Sequence, residues 1–319
     1  MKRILVTGGA GYIGAHVAAA LLDEGYEVRI YDDFSNGLHQ RVDGKFFDIV
    51  EGDILDRKKL LQAMQGIDAV IHLAAKKSVE ESVKNPLRYY ENNVAGTLNV
   101  LAAMNLEGAR IMIFSSSAAV YSPNGKVAIE ETDATVPLSP YGATKLLSEG
   151  VISSVGVAER ISHISLRYFN VAGSATPELG DNSKDNLVPK VFLALKEGNR
   201  PKIYGDKYPT PDGTCIRDYI HVQDLAGAHV AALKKAEFEF VSSVYNVGSG
   251  KGYSVREMMS QISQTVGKDV LPEIYPARAG DSPKLVASIE KIKVELGWKP
   301  IYSLKQMIDS AWNAERNSL

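Results

Sequence analysis

Apolar positions along the chain fall into two alternating textures. Short runs built around clustered apolar residues recur at "RILVTG", "EVRIYD", "FFDIVEGD", "DAVIHLAA", "RIMIFSSS" and "SHISLRYFN". Between them, apolar residues return every three or four positions, as in "GAHVAAALLDEG", "RKKLLQAMQG" and "NNVAGTLNVLAAMN". A clustered apolar run predicts a strand buried on both faces, and the wider spacing predicts a helix with one buried face. Strand, helix, strand in succession predicts an α/β fold, a doubly wound parallel sheet with helices on both sides.

After about residue 171 the texture changes. "AGSATPELGDNSKDN" and "GDKYPTPDGT" are rich in Gly, Pro, Asn and Asp, which predicts long loops. Two units are therefore expected, 1–170 and a smaller, loop-rich α/β unit at 171–319. "HVQDLAGAHVAALKK" and "SSVYNVGSG" read again as helix then strand, so parts of 220–250 are expected to rejoin the first sheet.

Composition narrows the function. With 319 residues, 45% of them apolar, the chain can bury the cores of two such units. A net charge of −2 offers no basic field for nucleic acid. The single cysteine, Cys215, excludes an internal disulfide and reads as a small buried hydrophobe. No apolar run approaches the roughly 20 residues that span a bilayer, and "MKRILVTGG" has no signal-peptide pattern, so a cytoplasmic protein is expected. His72 and His221 read as structural, because their surroundings supply no metal ligands.

The first strand runs into "TGGAGYIG", where Gly8, Gly11 and Gly14 have the spacing of a dinucleotide turn. Glycines there allow a tight turn, let the backbone approach a pyrophosphate and bring helix close to strand. The helix N-terminus then presents free N–H groups to the anion. This makes the predicted sheet Rossmann-type. The second strand ends in Asp32 and Asp33, and a carboxylate there accepts from a ribose 2′-hydroxyl and repels a 2′-phosphate, favouring NAD over NADP. Asp53, after the third strand, is placed to reach the adenine end.

"SPYGATKLLSEG" carries the reactive pair. Ser139 and Pro140 predict a helix start. Tyr141 and Lys145, four apart, then share one helical face. Ser115, Ser116 and Ser117 leave the fifth strand at its carboxyl end, where ligands gather in open α/β sheets. Together, and beside a dinucleotide turn, these residues form a serine–tyrosine–lysine constellation.

That constellation resembles the extended short-chain dehydrogenase/reductase superfamily. Within it the chain is similar to the UDP-glucose 4-epimerase family along nearly its whole length. The similarity rests on "TGGAGYIGAH", "HLAAKKSVEES", "YYENNVAGT", "FSSSAAVY", "SPYGATK", "RYFNVAG", "DGTCIRDYIHVQDLA", "YNVGSG" and "RAGDSPKL". It implies an isomerase of galactose metabolism with tightly held NAD, acting on UDP-glucose and UDP-galactose as a homodimer. Tyr141 would remove the proton of the sugar 4-hydroxyl, Lys145 and the nicotinamide charge would favour its phenolate, and Ser117 would bond the same oxygen.

The family's cofactor contacts fall on Gly8, Gly11, Tyr12, Ile13 and Gly14, on Asp32, Asp33, Asn36, Asp53 and Ile54, and on Leu73, Ala74, Ala75, Lys77 and Asn92. Ser115, Tyr141, Lys145 and Phe169 complete that set. Its UDP-sugar contacts fall on Ser117, Tyr141, Asn170, Asn186, Leu187, Tyr204, Arg217, Tyr219, Arg278 and Asp281. Leu285 occupies the family position beside the sugar 2-substituent, where tyrosine closes the space and a small residue admits an N-acetyl group. Slower activity on UDP-N-acetylglucosamine is therefore expected. Ser122, Asp33 and Ala119 depart from the usual glycine, asparagine and threonine, and none of the three changes removes a catalytic group. Two rival readings remain: a nucleotide-sugar 4,6-dehydratase, which would need an Asp-Glu pair where this chain has Ala118 and Ala119, and a redox-sensing binding protein, which would lack the Tyr-Lys pair.

Overall fold

The computed structural model describes residues 2–122, 126–278 and 281–317. Strands β1 (Arg3–Thr7), β2 (Glu27–Asp32), β3 (Asp48–Glu51), β4 (Ala69–His72), β5 (Ile111–Ser115) and β6 (Ser162–Tyr168) occupy the six apolar runs. Shorter strands follow: β7 (Asn170–Ala172), β8 (Lys202–Tyr204), β9 (Ile216–His221), β10 (Ser242–Val247), β11 (Gly252–Ser254), β12 (Glu273–Tyr275) and β13 (Lys284–Leu285). The helices are α1 (Tyr12–Asp23), α2 (Arg57–Met64), α3 (Val79–Lys84), α4 (Pro86–Tyr89), α5 (Gly96–Glu107) and α6 (Pro140–Glu159). They continue with α7 (Leu187–Lys196), α8 (Val222–Phe238), α9 (Val255–Val266), α10 (Glu290–Leu296) and α11 (Leu304–Asn317).

Seven strands form one parallel sheet in the order β10-β6-β5-β4-β1-β2-β3. Alternate residues of one strand serve opposite faces, and both faces of this sheet are covered, which is why apolar residues in β1 fall on both. Ile4 and Val6 join Val17 and Leu21 of α1 and Leu225 and Leu233 of α8. Leu5 between them joins Leu60 of α2, Val100 of α5 and Ile152 of α6. The strand order reverses between β1 and β4, opening a crevice at the carboxyl ends, and Thr7, Asp32, His72, Ser115 and Tyr168 end the strands around it.

Much of the segment 170–221, with α9 and α11, builds a separate core of Val188, Phe192, Ile203, Met258, Ile262 and Ile308, while Ile220, Ile292 and Trp298 pack in the first core. Its sheets are small: β11-β9-β13 with β7 alongside β9, and β12 with β8. The expected helix at "NNVAGTLNVLAAMN" has two geometries, a π-helical turn over Tyr90–Ala95 before α5. Inside that turn Asn93 bonds the backbone of Lys76 through both ends of its amide, at 2.8 and 3.0 Å, and reaches Thr144 of α6 at 3.1 Å. An inserted residue of this kind commonly marks a functional site.

Candidate active site

The turn between β1 and α1 is built so that no side chain intrudes. Gly8 has φ +71°, and a Cβ there would lie 2.7 Å from the Ala74 backbone nitrogen. A Cβ on Gly14 would collide with the Gly8 carbonyl. Gly11 precedes α1 without a side-chain cap, leaving the first N–H groups of the helix to an anion. Asp32 accepts from the Ala10 and Phe34 backbone N–H groups, each at 2.9 Å, and is 6% exposed. Burial raises its pKa, and the two N–H donors hold it back toward the ionised form. A glycine cradle, an uncapped helix start and a fixed carboxylate fit a dinucleotide with a free ribose diol.

The other cofactor candidates lie around this cradle. Tyr12 and Ile13 begin α1, and the Tyr12 hydroxyl donates to the Gly173 carbonyl at 2.6 Å. Asp33 and Asn36 sit on the exposed loop beyond β2, where Asp33 bonds the backbone and hydroxyl of Ser35 at 3.0 and 2.7 Å. Asp53 is exposed, and Ile54 is buried against Gly96. Leu73, Ala74 and Ala75 leave β4 half-buried, followed by exposed Lys77, whose ammonium reaches the Ser183 hydroxyl at 3.1 Å. Asn92 lies in the π-helical turn and Phe169 is buried after β6.

At the reacting end, Ser139 caps α6 by accepting from the Gly142 N–H at 3.2 Å, and Pro140 fills the first helical position. Tyr141 and Lys145 are both buried on one face of that helix. Burial raises the Tyr141 pKa, and the neighbouring Ser117 hydroxyl lowers it. Burial pulls Lys145 down to about 7, and Glu149 one turn further along opposes that fall. The Lys145 ammonium donates to the Ser115 carbonyl at 2.7 Å and lies 4.8 Å from the centre of the Phe114 ring. Ser115 thus acts through its main chain, while its hydroxyl meets His229 at 2.8 Å in the core. His72, between Thr7 and Thr97 at 2.7 and 3.0 Å, and His221, stacked on Tyr302, are held in the framework.

The nucleotide-sugar candidates surround β9. Arg217 and Tyr219 lie on it, Asn170 pairs with Tyr219 across β7, and Leu285 pairs with Arg217 across β13. Arg217 donates to the Ser282 carbonyl at 2.7 Å and to Asp281 at 3.3 Å. Arg278 stacks on the Tyr204 ring, 4.0 Å from its centre. Asn186 and Leu187 begin α7, and the Asn186 amide donates to Asp181 at 2.6 Å. Asp181 in turn accepts from the Ser183 N–H at 3.0 Å, which connects the Lys77 and Asn186 neighbourhoods.

Sequence reasoning missed three polar residues, the buried Glu149 and Arg167 and the partly buried Tyr168. Tyr168 ends β6 beside Tyr141 and Ser115, its ionisation strongly opposed by burial. Glu149 and Arg167 form an ion pair behind Lys145. The motif spacing on α6 extends to Glu149, four residues beyond Lys145, and that spacing was the available signal.

The family model described as "NAD dependent epimerase/dehydratase family" matches residues 4–248. A UDP-glucose 4-epimerase of Halalkalibacterium halodurans is 43% identical over 97% of this chain and 94% of its own. A UDP-glucose 4-epimerase of Stenotrophomonas maltophila, solved with bound NAD and formylated UDP-arabinopyranose, superposes with a TM-score of 0.95 at 37% identity, covering 100% and 99% of the two chains. The Brucella ovis UDP-glucose 4-epimerase in complex with NAD gives 0.93 at 40% identity, covering 98% and 97%.

Proposed function

The chain belongs to the NAD dependent epimerase/dehydratase family, and we infer that it interconverts UDP-glucose and UDP-galactose by transient oxidation at the sugar C4. The observation that carries this reading is the buried Tyr141–Lys145 face of α6, with the Ser117 hydroxyl beside the phenol. Tyr141 takes the proton of the 4-hydroxyl. A free tyrosine ionises near pH 10 and burial raises this one, so the phenolate needs a cation within a few ångströms. Lys145, held one turn away by the Ser115 carbonyl, is that cation. Ser117 bonds the same sugar oxygen and steadies the proton.

NAD, when bound, supplies the reversible hydrogen acceptor for C4, held by Gly8, Gly11, Gly14, Asp32 and Lys77. Inversion at C4 requires the sugar to turn over while its UDP end stays fixed. Arg217 and Arg278 grip the diphosphate through their guanidinium forks, and Asp281 accepts from the uridine ribose. Residues 1–170, with parts of 220–250, thus serve the cofactor, and 171–319 the UDP-sugar.

The 4,6-dehydratase reading requires an acid and a base after Ser117, and Ala118 and Ala119 supply neither. The test is incubation with UDP-galactose. UDP-glucose as the sole product supports the epimerase, and a 4-keto-6-deoxy sugar overturns it.

A homodimer in the cytoplasm completes the proposal. Among the described residues no helix is long and apolar enough to cross a membrane. Leu98 and Leu106 of α5 and Leu147 and Val157 of α6 remain exposed, an apolar face for a second copy. Light scattering at micromolar concentration that returns a monomer mass would rule the dimer out.

A further inference from the structure

The helical face that carries Tyr141 and Lys145 does not end at the lysine. Glu149 lies one turn beyond, 7% exposed. It accepts from Arg167 Nε at 2.9 and 3.2 Å and from Nη2 at 2.6 Å. The same carboxylate takes the hydroxyl of Ser116, the residue before Ser117. Arg167, on β6 and 6% exposed, gives its remaining nitrogen to the Tyr121 hydroxyl at 2.8 Å. Tyr121 donates to the Asn246 amide oxygen at 2.8 Å. Asn246 in turn donates to the Ile129 carbonyl at 2.9 Å and to Glu131 at 2.7 Å. Ile129 pairs with the backbone of Val286 and Ser288, both at 2.8 Å. One buried chain of bonds thus runs from behind Lys145 to the residue after Leu285.

We propose that Glu149 and Arg167 are positioning residues of the epimerisation: Glu149 is the fixed counter-charge of Lys145 and the anchor of the Ser116–Ser117 segment, and Arg167 ties both to the wall containing Leu285. The proposal rests on the reading of Tyr141 and Lys145 given above. A buried ion pair is weak as a device for stability, since desolvation offsets most of its attraction. Its position on the reacting face assigns it another use. A carboxylate one turn from a buried ammonium keeps that ammonium protonated where burial alone would strip it.

The other groups facing the pair are few. His72 on β4 faces Lys145, and burial holds it neutral, at about 3. Tyr168 on β6 faces Tyr141, and Tyr121 faces Arg167; burial raises the pKa of both phenols. Glu131 lies beyond Tyr121 and bonds the Asn246 backbone. The π-helical turn and α5 contribute the uncharged Asn93 and Thr97, while Glu80 and Glu81 of α3 pair outward with Lys84 and Arg88. Glu149 is the charge that opposes the fall of Lys145.

The test is the pH profile of kcat for the holoenzyme, in wild type, in Glu149→Gln and in Glu149→Gln/Arg167→Gln. The double variant removes both charges, so neither is left buried alone if the single variant folds poorly. Loss of the carboxylate moves the basic limb, where Lys145 loses its proton, to lower pH by about one unit. The KM for UDP-galactose stays within about twofold, because neither residue is assigned to the nucleotide. A purely structural role would lower yield or melting temperature and leave the limb in place. An unmoved limb in either folded variant overturns the proposal. Tyr141→Phe, run alongside, separates the two readings: if it stays active, the assignment of the base fails. If it is inactive while the limb stays put, only the role of Glu149 fails.

Discussion

Lys145 directs its ammonium at the carbonyl of Ser115, 2.7 Å away, and not at a carboxylate. The carbonyl dipole fixes where the ammonium points, while its proposed counter-charge, Glu149, bonds Arg167 and Ser116. Tyr141, one turn back on α6, is the phenol that the field of the ammonium can reach. The strand end therefore fixes the ammonium, and the helix sets its place relative to the phenol.

Tyr141→Phe removes the proposed base and leaves untouched Arg217, Arg278 and Asp281, which are proposed to hold the nucleotide. General-base catalysis contributes about 10²- to 10⁴-fold, and turnover is expected to fall by at least that much. The UDP dissociation constant measured by calorimetry is expected to stay within about twofold. Near-normal turnover would remove the mechanism.

NAD is expected to remain with the purified protein, because substrate and product share one oxidation state and the cycle never requires release. Acid denaturation should liberate dinucleotide near one equivalent per chain. Gly14→Ala should abolish this retention, since its Cβ would collide with the Gly8 carbonyl inside the cradle. A wild-type preparation without dinucleotide, wholly dependent on added NAD, would refute tight binding.

The parts of this molecule legible in its sequence are those set by short-range pattern. β1, β2 and β4–β6 could be read because each carries a cluster of apolar residues that the buried sheet requires. Tyr141 and Lys145 could be paired because a helix fixes the relation of residues four apart. β8, β11, β12 and β13 are two or three residues long and exist only through distant partners, β12 with β8 and both β11 and β13 with β9. The π-helical turn differs from an α-helix by one hydrogen-bond register, which no apolar periodicity records. Glu149 reads locally as a solvated acid on a helix, and only the fold brings Arg167 of β6 against it.

Acid is expected to destabilise the protein through its buried histidines. Burial lowers His16, His221 and His229 to about 4 and His72 to about 3, from an ordinary 6.5. Their folded pKa values lie below the unfolded ones, so between pH 6.5 and 4 the unfolded chain binds more protons. The stabilisation is complete above pH 6.5 and is lost as pH falls toward 4, by up to about 2 kcal/mol per histidine at pH 5. Asp218 works the other way, since burial raises it to about 6 and its protonation favours the folded state below that pH. Burial also raises Asp32, Glu131 and Asp224, which act in the same sense as Asp218. The four histidines are expected to outweigh these carboxyls, so the urea midpoint should drop between pH 7.5 and 5. An unchanged midpoint would show that these rings take up protons without unfolding.

The sugar 2-position should be read by Leu285. Its strand β13 runs parallel to β9, placing it opposite Arg217, and its side chain packs into the cluster formed by Phe169, Ile129 and Ala287. With Arg217 proposed for the diphosphate and Phe169 among the proposed cofactor contacts, Leu285 is expected to border the space the sugar occupies. Leucine is shorter than tyrosine and lacks its hydroxyl, leaving room that tyrosine would fill. An apolar wall discriminates by only about 1–3 kcal/mol per methylene-sized misfit. UDP-glucose and UDP-galactose should therefore turn over well, and UDP-N-acetylglucosamine more slowly, within about 10- to 200-fold. Leu285→Tyr should abolish the N-acetyl activity and retain the activity on UDP-galactose, because it adds bulk only beside the 2-substituent. Wild-type enzyme inert toward the N-acetyl substrate would mean that other walls close the pocket. A Leu285→Tyr variant losing both activities would place this side chain in the path of the turning sugar itself.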